Sequence, residues 1–240
     1  PHHTVSSVAL IGGGTNPMPG EVSLAHNGVL YLDELTEFAK SVLEVLRQPL
    51  EDRQITIARA KNTVTYPASV MLVASMNPCP CGFYNHPTHP CTCTEVQIRK
   101  YLGKVSGPLL DRIDLQIEIV PLSFDEVSRT TVAESSEEIR NRVVRARKIQ
   151  EARFKDHPLI HNNAQMTSAM LREYCVLDEK SLSLLKRAMT KLDLSARAYD
   201  RILKVARTIA DYEGSENISS THIAEAISYR NMDRRSWGQG

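Results

Sequence analysis

The sequence predicts an α/β domain followed by an all-helical domain. Three observations carry this. "GVLYL" (28–32) and "VMLVA" (70–74) are short unbroken apolar runs, the pattern of strands buried in a parallel sheet. "LQIEIV" (115–120), stopped by Pro121, reads as a third strand. After about Phe124 no convincing strand remains, and the apolar spacing becomes helical. The expected division is residues 1–124 and 125–240, with the change of character between 121 and 134.

Taken in order, residues 4–20 are rich in Gly and Pro around "VALIGGG" and read as an irregular insert. The strand at Gly28–Leu32 follows. Phe38, Val42, Val45 and Leu46 then lie at i, i+4, i+7 and i+8, one helical stripe that Pro49 is expected to end. In "RQITIARAKNTVTYPA", Ile55 and Ile57 alternate with polar residues, as do Val64 and Tyr66 beyond the "RAKN" tip, so Gln54–Tyr66 predicts a β-hairpin. In the second half, Ser135 and Glu138 have capping-box spacing, ahead of a stripe of Ile139, Val143, Ala146 and Ile149. Helices are also expected at Ser181–Leu192, Ala198–Tyr212 and Thr221–Tyr229.

The 240 residues are 42% hydrophobic and 24% charged with a net charge of +1, so no global pull toward nucleic acid or membrane exists and any such surface is local. No apolar run is long enough to span a bilayer, and the start has no signal-peptide pattern. Neither does it begin with Met, and a segment of a longer chain is the expectation. An odd cysteine count, with four of the five between Cys79 and Cys93, points to a reducing, cytoplasmic setting.

Asp33 and Glu34 directly follow the first strand. In open α/β sheets ligands bind beyond the carboxyl ends of the strands. One carboxylate there can hold Mg²⁺, and a second can orient and deprotonate a water. The simpler alternative is that Asp33 caps the next helix. Asn77 ends the neighbouring strand, where an amide can sense a phosphate or serve as a plain turn residue before Pro78. Arg112, in "SGPLLDRIDL", can reach a neighbouring subunit's anion or simply pair with Asp111 or Asp114 at the surface.

Five stretches, "AHNGVLYLDELTEF", "LRQPLEDRQITIARA", "VTYPASVMLVASMNPCPCG", "SGPLLDRIDL" and "LSARAYDRILKVARTIADYEG", occur in this order. Together they resemble the AAA+ ATPases of the Mg-chelatase-like group, above all its competence-protein ComM (YifB) branch, over nearly the whole chain. The resemblance implies a partial AAA+ core over 1–124 and a helical lid over 125–240. It implies that Asp33 holds Mg²⁺ and Glu34 activates water as the Walker-B pair. Asn77 would be sensor 1, Arg112 an arginine finger acting across a subunit boundary, and Arg197 the sensor-2 arginine of the lid. It further implies bound ATP, a ring of identical subunits (a hexamer in the family), and a hairpin facing the ring's pore. DNA in recombination or natural transformation is the expected substrate. The rival readings are the ATPase subunit of magnesium chelatase and a non-catalytic zinc-stabilised interaction module.

One departure is large. No GxxxxGK[ST] occurs, and "GGGTNPMPG" has no Lys and stands immediately before the strand at 28–32. The phosphate loop of the family would precede Pro1, so these 240 residues alone are expected neither to bind ATP tightly nor to hydrolyse it. Cys79, Cys81, Cys91 and Cys93 are spaced C-x-C, nine residues, C-x-C. Structural Zn²⁺, free reduced thiols and redox pairing all remain open for them. Cys175 reads as core. Arg53, Arg59 and Lys61 on the hairpin are candidate DNA contacts that would track phosphates without reading sequence. The helix at 140–155 has seven Lys or Arg and one Glu, and reads first as a solvated face. His2, His3, His26, His157, His161 and His222 show no ligand spacing and read as structural or surface residues.

Overall fold

The computed structural model describes residues 1–58, 63–119, 121, 128 and 134–230. They form two compact units, one from Pro1 to Ile113 and one starting at Asp114.

The segment expected to be irregular is ordered. Ser6 accepts a hydrogen bond from the Ala9 N–H (3.2 Å) and caps α1 (Ser7–Ile11). β1 (Gly12–Gly13) then pairs antiparallel with β2 (Met18–Pro19), ahead of α2 (Glu21–Leu24). Gly12 has φ +99°, and a Cβ there would lie 2.4 Å from the Met18 carbonyl oxygen; one on Gly20 would lie 2.3 Å from the Gly12 nitrogen. Only glycine permits that backbone approach. These elements are too short to leave a periodic signature.

β3 (Val29–Leu32) pairs in parallel with β6 (Met71–Ala74), Val29 opposite Met71 and Leu32 opposite Ala74. Leu30 and Leu32 enter a core shared with Phe38, Leu43, Leu46 and Ile55. Each such side chain contributes about 1.5–3 kcal/mol through burial. The alternate face, Val29, Tyr31, Met71 and Val73, is exposed.

The expected single helix after β3 is broken in two. A 3₁₀ turn (Leu35–Glu37) leads into α3 (Lys40–Glu44), and α4 (Arg47–Asp52) follows. Pro49 does not end a helix. It is buried in the first turn of α4, where a missing N–H costs nothing. β4 (Gln54–Ala58) and β5 (Thr63–Pro67) form the expected hairpin, with Ile55 opposite Tyr66 and Ile57 opposite Val64. Its tip, with Arg59 and Lys61, lies outside the described residues. α5 (Glu95–Leu102) starts from a capping box of Thr94 and Gln97, and α6 (Gly107–Leu110) from Ser106 with a proline in its first turn.

The third strand is corrected. Residues 115–119 are not in a sheet, Ile117 and Ile119 are exposed, and the Gln116 N–H donates to the Tyr229 carbonyl (2.8 Å). An apolar run becomes a strand only where another strand meets its N–H and C=O groups. Among the described residues none pairs with this one.

The second unit is helical: α7 (Ser136–Arg153), α8 (Ser168–Tyr174), α9 (Glu179–Lys191), α10 (Ala196–Glu213) and α11 (Ser220–Ser228). The Ser135–Glu138 capping box is formed. Leu185, Ile202, Ala206, Ala210 and Ile223 build its core. The stripe expected to bury α7 mostly does not: Ile139, Val143 and Ile149 are exposed, while Ala146 and Gln150 are buried. A polar cluster orients the helix instead. The Gln150 side chain accepts from the Asn163 N–H (3.1 Å), and Arg153 pairs with the buried Asp211 of α10.

Candidate functional site

The parallel pairing of β3 and β6 brings their carboxyl ends together. The Ser75 N–H donates to the Leu32 carbonyl (3.0 Å), and the Leu35 N–H donates to the Ser75 carbonyl (2.8 Å). Between those two bonds the chain turns out of β3 through Asp33 and Glu34.

Asp33 accepts from several donors, Ser75 foremost. The Ser75 hydroxyl makes a short hydrogen bond to Oδ1, and the Glu34 N–H donates to the same oxygen (3.0 Å). The Ser75 bond, with the Glu34 N–H behind it, holds the Asp33 carboxyl below the ordinary carboxylate range against some desolvation. The group is exposed and anionic at neutral pH, a hard oxygen donor of the kind Mg²⁺ takes. It does not cap the turn that follows. Glu34 holds that position and makes no side-chain capping bond.

Glu34 has a left-handed backbone, φ 51° and ψ 50°. For a residue with a Cβ this costs on the order of 1–3 kcal/mol. Its carboxylate is more than half exposed, and Oε2 lies 3.5 Å from Nδ1 of His3. Asn77, two residues beyond Ser75, is also exposed. Asp33, Glu34 and Asn77 therefore leave the same end of two adjacent strands.

Of the cationic candidates, Arg112 belongs to the first unit and Arg197 to the second. Nε of Arg112 is 3.0 Å from Oε2 of Glu51 in α4, and its Nη1 donates to the Pro108 carbonyl in α6 (2.7 Å). Arg197 is exposed in the first turn of α10, in the second unit. Arg53 ends α4 with φ 54°, and its carbonyl accepts from the Ala68 N–H. Of the basic residues on α7, Arg142 is bound to Glu134 and Arg153 to Asp211, while Arg140, Arg145, Arg147 and Lys148 are exposed.

The four clustered cysteines converge. Sγ of Cys79 is 3.4 Å from that of Cys81 and 3.7 Å from that of Cys91, and Cys81 is 3.6 Å from Cys91. All four sulfurs, Cys93 included, lie within 4.8 Å of one another. A disulfide needs about 2.05 Å. A tetrahedron with Zn–S bonds of about 2.3 Å has edges of roughly 3.8 Å, close to the separations found. The cluster can hold a tetrahedral thiophilic metal. Backbone N–H groups of Phe83 and then Thr92 pull the Cys81 thiol down to about 5. In Cys91 the Cys93 N–H is outweighed by desolvation and the neighbouring sulfurs, which push that thiol up to about 12, and desolvation pushes Cys93 up. Without a metal, Cys81 is therefore the sulfur that favours a thiolate. Cys79 is fully buried against Ile98, Tyr101 and Leu102, which fixes the cluster onto α5. Behind α5, Lys104 lies 3.9 Å from Glu37, in the 3₁₀ turn after the acidic pair. Cys175 is buried, as expected.

Sequence reasoning missed Ser75 and His3. They stand 42 positions after Asp33 and 31 before Glu34, so no spacing rule joins them to the acids. Among the described residues no helix is long and apolar enough to cross a membrane.

Comparison with known proteins agrees with this architecture. The family model for magnesium chelatase, subunit ChlI, matches residues 1–127, and the model for the ChlI C-terminal region matches 133–230. The chain is 48% identical over 235 residues to competence protein ComM of Haemophilus influenzae, and 46% identical over 237 residues to YifB of Escherichia coli. Each match covers 98% of this chain and 45% of the relative, so the chain spans a little under half the relatives' length. Magnesium-chelatase subunit ChlI of Mesostigma viride is 27% identical over 135 residues, 54% of this chain and 35% of that protein. With two family models side by side over most of its length and two relatives near half identity, the chain belongs to the Mg-chelatase-like family, in its ComM/YifB branch.

Proposed function

We propose that the chain is the part of an AAA+ ATPase that activates water and senses phosphate, in a motor of the ComM type acting on DNA in recombination or natural transformation. The observation that carries this reading is that Asp33, Glu34 and Asn77 follow the same, carboxyl end of the β3–β6 pair, with Asp33 kept ionised by Ser75. Asp33 would hold Mg²⁺, which supplies charge neutralisation at the phosphates when bound. Glu34 accepts the proton of an attacking water, and Asn77 orients that water. Arg112, released from Glu51, stabilises transition-state charge in a neighbouring subunit, and Arg197 couples the helical lid over 125–240 to the nucleotide of the 1–124 core. The assembly is a homo-oligomeric ring, a hexamer by family resemblance. The hairpin cations Arg53, Arg59 and Lys61 face DNA phosphates.

The ChlI relative keeps a second reading in view, an ATPase driving metal insertion into a porphyrin. The two near-half-identical ComM and YifB relatives, each matched over 98% of this chain, favour the first. The cysteine cluster holds a structural Zn²⁺ in this proposal, supported by sulfur separations that suit a ZnS₄ tetrahedron.

The test is Glu34→Gln in the protein at the full length of its relatives. ATP binding should persist while turnover falls at least 100-fold, within the range general-base removal gives. Unchanged turnover would refute the assignment. Stimulation of the wild-type ATPase by branched DNA, rather than by chelatase partner subunits, separates the two enzymes.

A further inference from the structure

We infer that His3 is a positioning residue for the Glu34 carboxylate, orienting it at the end of β3 toward the attacking water. The inference rests on the reading of Glu34 as the water-activating base. Two independent features make this contact more than a chance approach.

The first is the strain at Glu34. Its left-handed backbone, φ 51°, turns the chain directly after β3. Asp33, its neighbour, is tied down by Ser75. The only ion pair or hydrogen bond recorded for the Glu34 carboxylate among the described residues is His3 Nδ1, at 3.5 Å. That is longer than a formed hydrogen bond. Catalytic hydrogen bonds are often long in the ligand-free state and tighten when substrate arrives.

The second is that His3 is itself aimed. Its ring stands edge-on to Phe38, which is buried in the core just past the 3₁₀ turn, at 6.4 Å between centroids and 76° between planes. On its other side it packs on His2 at 4.0 Å, and His2 Nδ1 meets the Thr4 hydroxyl at 2.9 Å. A ring fixed from two sides offers its Nδ1 edge to Glu34 at little further entropic cost. His3 touches neither nucleotide nor water in this scheme. It sets where the base points, and a misplaced base loses rate rather than affinity.

Side-chain geometry makes the test specific. The amide nitrogen of Asn stands about as far along the side chain as Nδ1 of His, whereas that of Gln stands nearer to Nε2. In the protein at its relatives' full length, His3→Ala should lower kcat for ATP about 10-fold or more, the loss of one hydrogen bond to a charged group. KM and the affinity for a fluorescent ATP analogue should change less than 2-fold. His3→Asn should restore most of kcat, and His3→Gln should not. A kcat for His3→Ala within 2-fold of wild type would overturn the inference. So would equal activity of the Asn and Gln variants, or a defect confined to KM. Thermal melting of each variant separates misfolding from mispositioning, and His3→Asn remains decisive if His3→Ala does not fold. Glu34→Gln identifies which idea fails: if that variant keeps its turnover, the base assignment falls, and if it loses turnover while His3→Ala does not, only the role of His3 falls.

Discussion

If the four cysteines share one metal, Cys93→Ser should break the site while leaving the buried Cys79 and its apolar neighbours in place, because Cys93 is only half-buried. The metal closes a loop of fifteen residues, Cys79 to Cys93. Closing such a loop restricts the unfolded chain by about 3 kcal/mol in the chain-entropy treatment used for cross-links. For a unit of this size each kcal/mol moves the melting temperature by roughly 4 °C. The variant, or wild type stripped by a strong chelator, should therefore melt about 12 °C lower in the transition of the first unit. Two assays check the premise. Elemental analysis after purification without added metal should give about one zinc per chain. Thiol titration at pH 8 should find the four clustered sulfurs protected until chelator is added. Cys175 should stay slow until unfolding, since burial pushes its thiol up to about 11 and leaves it protonated. Less than a fifth of an equivalent of metal, four fast thiols before chelation, or an unshifted melt for Cys93→Ser would refute the argument.

Asp211, fully buried, accepts from Arg153, from Nε of Arg207 (3.1 Å) and from the Asn163 side chain (2.7 Å). Asp211→Ala leaves two guanidinium groups facing each other without their shared anion and should cost about 3–5 kcal/mol, read by urea or calorimetric unfolding of the second unit; a loss below 1 kcal/mol would show that water replaces the carboxylate. Ser75→Ala should raise the Asp33 carboxyl toward its ordinary value by removing the largest of the hydrogen bonds that depress it. A depressed carboxyl stabilises the fold above its ordinary titration range and loses that stabilisation as pH falls through the depressed value. The variant should therefore show a weaker acid limb of stability, and carboxyl-carbon NMR titration measures the shift directly.

Much of the first unit was legible because its signals are local. β3 and β6 are dense apolar runs bounded by turn residues, and the hairpin shows period-two alternation on both arms. Pro49 misled because the same residue marks the end of one helix or the first turn of the next, and which applies depends on packing around Leu46. The α7 stripe misled for a related reason. Periodicity identifies a face, but the Arg153–Asp211 pair decides which face turns inward. The run at 115–119 has strand composition without a strand partner, a non-local condition no window contains. At the site, the order of the segments was enough to expect two acids and an amide at strand ends. Ser75 and His3 were invisible because each reaches its acid across dozens of positions through one side-chain contact. The cysteines were legible as a cluster in sequence, whereas the approach of all four sulfurs to within 4.8 Å of one another depends on how the nine-residue loop between the two pairs folds back.

Cys79 follows Asn77 by only two residues, with Pro78 between them. A tether that short reaches about 7 Å at full stretch, and the proline stiffens it further. Whatever anchors that sulfur thereby leashes the amide, so if Asn77 reads a phosphate as proposed above, chelation or oxidation of the thiol group would loosen that reading at a distance.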